Sequence, residues 1–113
     1  MKTLNQLTAI HHALSEPNRV RICGLLQNQE VCVCHIVKIL GLAGSTISEH
    51  LALLKKVGLI TSRKEGRWIY YKMNTASPIT NWLMDFIQNA LAKDPQLRSD
   101  AKKLQRLLGE PTC

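Results

Sequence analysis

Aromatic side chains are scarce in this 113-residue chain, at 4%, so its interior has to be built from Leu, Ile and Val. Acidic residues are also few. Eight Asp and Glu stand against fifteen Lys and Arg, and the resulting net charge of +7 favours an anionic partner. No apolar run approaches the roughly 18 to 20 residues of a membrane span, and Met1 to Ile10 is broken by Thr3, Asn5, Gln6 and Thr8. Neither a membrane partner nor a signal peptide is expected, which points to the cytoplasm. Cysteine is limited to Cys23, Cys32, Cys34 and Cys113. In a reducing compartment these read as thiols or metal ligands, not as a disulfide framework. The length excludes two catalytic modules and suits one domain with a real core.

What is present is mostly helical periodicity. Leu4, Leu7, Ile10 and Leu14 form an apolar stripe over the first fifteen residues. Ser15-Glu16-Pro17 stops that helix and starts a second, with Pro17 at its first position and Val20, Cys23 and Leu26 on one face. Val33, Ile36, Val37 and Leu40 mark a third helix ended by Gly41. A tight turn at Leu42 to Ser45 leads to a fourth, with Ile47, Leu51, Leu54 and Val57 inward and Ser45, Glu49, Ala52 and Lys56 outward. Gly58 is its stop. Leu59 to Arg63 and Trp68 to Met73 read as two strands, joined by a turn in which Gly66 takes a positive φ. Two Pro-started helices follow, one bearing Ile79, Trp82, Leu83, Phe86, Ile87 and Leu91, the other Leu97, Ala101, Leu104 and Leu108. The division expected is a DNA-binding and dimerisation domain over 1–93, then a C-terminal helix and flexible tail over 94–113.

Two short helices across a glycine-containing turn, with a basic hairpin directly after them, make a winged helix-turn-helix. The expected fold is therefore mainly α, with five to six helices and a two-stranded hairpin wing. Between Ser45 and Asn74 lie six basic and two acidic residues, a net +4 out of +7. A helix fits the major groove and presents hydroxyl and carboxylate groups to base edges, while hairpin cations hold phosphates or enter the minor groove. Base reading falls to Ser45, Thr46, Ser48 and Glu49, and clamping to Lys64 and Arg67, with Lys56 added from the outward face of the same helix. The bland alternative is a solvated basic surface. His50 lies toward the buried side of the helix and reads as a packed or hydrogen-bonded histidine before a DNA contact. Trp68, Tyr70 and Tyr71 read as hairpin packing.

The stretch Glu30-Val31-Cys32-Val33-Cys34, the run from Ser45 to Ile60 and the hairpin from Arg63 to Tyr71 together resemble the ArsR/SmtB family of bacterial metalloregulatory repressors, the arsenical-resistance type above all. The likeness extends over residues 4 to 91. It implies a homodimeric winged-helix repressor that binds double-stranded operator DNA and lets go when a metal or metalloid binds. Two departures stand out. Ala43-Gly44 replaces the family's usual Ser-Gln at the start of the recognition helix, and His35 and Val37 stand where the arsenic-type motif usually has Asp and a third cysteine.

Two residues apart, Cys32 and Cys34 point about 200° apart on a regular helix, so one intact helix does not aim both at one ion. If the helix begins near them, the sulfurs can converge. Soft ions prefer such thiolates, and As(III) or Sb(III) is the leading effector class. Cys113, near the chain end, is the candidate third sulfur, from the same subunit or its dimer mate, whereas Cys23 reads as core. The family's zinc-type site would need His and acidic residues in the fifth helix, yet residues 78–91 hold no His and only Asp85. Cadmium or lead sensing, or thiol oxidation, are the alternatives within DNA binding. A winged-helix protein-interaction module without an operator is the alternative outside it. No enzyme is expected, since Glu30, Cys34 and His35 diverge on a helix.

Overall fold

The computed structural model describes residues 3–110. Thr3 caps α1 (Leu4–Ala13) through its side chain and Gln6 reciprocates, a capping box. The helix stops at Ala13, short of the fifteen residues its apolar stripe suggested, because Ser15 and Glu16 turn the chain into α2 (Pro17–Leu25). Glu16 accepts from the Arg19 amide at 3.2 Å and Pro17 fills the first turn, where its missing N–H costs nothing.

One strand was not legible in the sequence. β1 (Val31–Cys32) comes directly before α3 (Val33–Leu40), so the expected two-stranded wing is a three-stranded sheet. Gly41 ends α3 at φ 70, a left-handed geometry open to glycine at little cost. Then come α4 (Gly44–Lys56), β2 (Ile60–Glu65), β3 (Trp68–Met73), α5 (Pro78–Ala90) and α6 (Pro95–Leu108). Gly58 at φ 87 turns the chain out of α4, and Gly66 takes the positive φ expected of it, 63, in a hairpin loop of two residues where four were expected. β2 runs two residues beyond the expected Arg63, because the ladder continues until Glu65 faces Trp68.

The sheet order is β1-β3-β2, antiparallel throughout. Aliphatic side chains do fill the interior: Ile22, Leu26, Ile36, Ile47, Leu51, Leu54, Leu59 and Ile60 are all fully buried. α6 closes the side formed by α2 and α3, placing Leu104 and Leu107 in the same core. The Arg21 guanidinium holds it there, donating at 2.9 and 3.0 Å to both oxygens of the buried Asp100. Among the described residues no single helix is long and apolar enough to cross a membrane.

Candidate nucleic-acid interface and thiol site

Ala43 offers α4 no side-chain cap, so the helix opens with bare amides at Gly44 and Ser45. Ile47, Leu51 and Leu54 bury its inner face, which leaves Ser45, Ser48, Glu49 and Lys56 exposed and Thr46 half-buried. Ser45 and Lys56 share a face but lie about 16 Å apart along the axis. Lys56 instead borders a shallow groove with Asn5, Gln6 and Ala9 of α1. Lys64 and Arg67 are exposed at the hairpin tip, where the Arg67 guanidinium lies 5.0 Å from the Trp68 ring centre. The wing is tied to the helix it follows: Lys55 of α4 donates to the Ser62 hydroxyl of β2 at 2.8 Å.

Not every cation in this region is available to a phosphate. Arg63 donates to both Glu30 carboxylate oxygens and, at 2.8 Å, to Glu65, and its guanidinium lies 4.7 Å from the Tyr70 ring centre. These carboxylates hold the guanidinium pKa above its usual value, and Arg63 in turn draws the Glu30 carboxyl below its own. A pairing across 33 residues leaves no trace in local spacing, so sequence reasoning counted Arg63 with the free charge.

His50 is bonded as its helical position suggested. Its Nδ1 lies 3.5 Å from Arg19 Nη1 and its Nε2 3.6 Å from Glu16 Oε2. Arg19 also donates from Nε to the Ala13 carbonyl at 2.6 Å, so α1, α2 and α4 meet at one polar junction. Neither Glu16 nor Arg19 was foreseen; the only signal was a half-buried histidine needing partners. Tyr71 packs against the core, which raises its phenol pKa by burial, and Tyr70 lies under Arg63.

At the thiol site α3 begins between the two cysteines. Cys32 is the N-cap of α3 and the last residue of β1, so it obeys strand geometry, while Cys34 is the second residue of the helix. The 200° separation of a continuous helix therefore does not apply. Cys32 is a free, buried thiol, whereas Cys34 is disulfide-bonded, a departure from the expectation of thiols throughout. Cys23 is core: fully buried, its thiol is pushed up to about 12. Cys113 lies outside the described residues. His35 follows Cys34 with a buried Nδ1 that has no hydrogen-bond partner; burial and then Lys38 lower its pKa, against Glu110, which raises it. Among the described residues no three His, Cys, Asp or Glu side chains come together around one point.

α1 and α5 share an unfilled apolar face. Leu4, Leu7, Trp82 and Phe86 are exposed, with the Trp82 and Phe86 rings stacked at 5.6 Å. Between them runs a groove of about 250 Å³ lined by Ile10, Leu14 and Leu83 among others.

Residues 16–62 match the family described as "Bacterial regulatory protein, arsR family". The arsenic resistance transcriptional regulator ArsR2 of Pseudomonas putida is 32% identical over 104 residues, 90% of this chain and 89% of that protein. A cadmium resistance transcriptional regulatory protein CadC homolog of Staphylococcus aureus is 39% identical, over 58% of this chain and 54% of its own. Among solved structures, the homodimeric winged helix-turn-helix DNA-binding domain Mb0332 of Mycobacterium bovis, a possible ArsR-family transcriptional regulator, superposes with a TM-score of 0.68 at 29% identity, covering 80% of this chain and 82% of that one. Fold and relatives are those of transcriptional regulators, not of enzymes.

Proposed function

Since the chain belongs to the arsR family of bacterial regulatory proteins, we propose that it is a cytoplasmic metalloid-responsive repressor, one that binds double-stranded operator DNA as a dimer and is released by As(III) or Sb(III). The observation that carries the effector assignment is the start of α3 between its two cysteines, which frees the Cys32 sulfur from helical geometry. Soft trivalent ions favour thiolate donors, and this site offers sulfur before anything harder. Two sulfurs leave such an ion short of a donor. No third His, Cys, Asp or Glu joins them among the described residues, so the third comes from Cys113, three residues beyond Glu110. Extended chain of that length spans about 10 Å, and it follows α6, which packs against α3. The donor set fits a soft ion only when Cys34 is reduced.

Ser45, Thr46, Ser48 and Glu49 read bases from α4, while Lys56, Lys64 and Arg67 hold phosphates. The dimer forms through α1 and α5, whose apolar face is otherwise left in water, and the Mycobacterium bovis neighbour is described as homodimeric. Ligand preference for the DNA-free state need supply only about 1–3 kcal/mol to weaken operator binding about 5- to 150-fold. A gel-shift titration on the chain's own upstream DNA with As(III), Sb(III), Cd(II) and Zn(II) tests the reading. Arsenite and antimonite should release the wild type at concentrations that leave Cys32→Ser and Cys34→Ser bound; equal release of all three rejects the site.

Redox control is the second reading, and the disulfide at Cys34 favours it. There hydrogen peroxide takes two electrons from a pair of thiols, giving one disulfide and two waters. In the same titration, release by peroxide but not by arsenite would select it.

A further inference from the structure

Glu30, Val31 and Cys32 are consecutive, and each is fastened to the wing. Glu30 grips Arg63 of β2 through two 2.9 Å bonds and a third, shorter one to Nη2. Val31 faces Tyr71 of β3, and Cys32 faces Tyr70. Tyr70 in turn faces Arg63, so Cys32, Tyr70 and Arg63 form one row across all three strands. Directly opposed residues of antiparallel strands project from the same face, which is why the Arg63 guanidinium can sit 4.7 Å over the Tyr70 ring. The neighbouring row, Val31, Tyr71 and Ser62, faces the other way, where Ser62 receives the bond from Lys55 of α4.

Cys32 is thus a helix cap, a ladder residue and the end of a side-chain row that finishes on the wing. We propose that the wing is the mechanical output of the thiol site: a ligand on Cys32 turns β1 against β3, opens the Glu30 to Arg63 latch and displaces the hairpin that carries Lys64 and Arg67. This rests on the effector reading of Cys32 given above. The reason is the short lever. A strand of two residues is held to β3 by few hydrogen bonds, so a pull on the Cys32 side chain meets little resistance from the ladder. The inward row carries the same motion to α4 through Ser62 and Lys55.

Trp68 opens β3 and Trp82 lies on α5, so 5-fluorotryptophan gives one fluorine signal on the wing and one away from it. A Trp82→Phe variant serves only to assign the two. In reduced protein without DNA, arsenite should raise the ultraviolet absorption of sulfur–arsenic bonds and shift the Trp68 signal with the same titration midpoint. Glu30→Gln should move that signal in the same direction without arsenite and weaken operator binding about 5-fold or more. Sulfur–arsenic absorption with an unmoved Trp68 signal overturns the wing proposal and leaves the effector site standing, as does a Glu30→Gln protein that behaves as wild type. Absence of the absorption rejects the effector reading itself, and the proposal with it.

Discussion

Cys23 sits on the inward side of α2 with no exposed surface, and burial alone pushes its thiol up to about 12. The thiol is therefore protonated at neutral pH and poorly nucleophilic. Iodoacetamide applied to the reduced native protein should leave Cys23 unmodified, and alkylation should appear only when urea unfolds the chain; peptide mass spectrometry reads the difference. The same burial gives a pH dependence. An unfolded chain releases this proton near 9.0 while the folded one retains it, so the contribution to stability is whole below about pH 9 and is lost as the pH rises toward about 12. Cys23→Ala should flatten that alkaline decline in urea melts, at a cost on the order of 1 kcal/mol at neutral pH. Residue identity made Cys23 legible as core, because its place on the stripe with Val20 and Leu26 is a matter of helical spacing alone. Arg63 was not legible, since its fate depends on a glutamate 33 positions away.

Besides its apolar contacts, α6 is held to α2 by an ion pair. Asp100 is 1% exposed and accepts from Arg21 at 2.9 and 3.0 Å and from Gln96 at 2.9 Å. Asp100→Ala strips the guanidinium of its partner in a site that water reaches only in part. It should cost about 2–4 kcal/mol, read as a lower urea midpoint. The paired change Arg21→Met with Asp100→Leu should recover most of that loss, because the desolvation of both charges disappears together. If the double variant is no better than the single one, the pair contributes more than local charge compensation. Helix existence was readable here from Asp94-Pro95 and the spacing of Leu97, Leu104 and Leu108, and Asp94 does cap the Leu97 amide at 3.0 Å. What α6 packs against was not readable, because an amphipathic stripe specifies a need for cover and not the surface that supplies it.

For the molecule as a whole, the proposed function divides the surface between an apolar face of α1 and α5 for assembly and a basic face of α4 and the wing for binding. Phe86 is 45% exposed and stacked on Trp82 at the rim of the groove, so Phe86→Glu places a charge on the face proposed to meet a second copy. Sedimentation should show the variant as a monomer with its helical content kept, and gel shifts should show operator affinity reduced by orders of magnitude, since one half-site contact is lost. A dimeric Phe86→Glu protein would place the interface elsewhere. Wild-type binding should also fall steeply with salt, because each phosphate contact displaces condensed counterions.

The sequence by itself determined the helices, the turn glycines at 41, 58 and 66, the winged helix-turn-helix and the clustering of positive charge. All of these follow from periodicity, local backbone limits and counting within short windows. Only the tertiary structure decided which charges remain free, where α6 docks, and that Cys32 belongs to a strand. A two-residue strand has no periodicity to read. It exists because Tyr70 and Tyr71, nearly forty residues downstream, offer it a ladder, and hydrogen bonds at that separation are set by the fold and not by neighbouring residues.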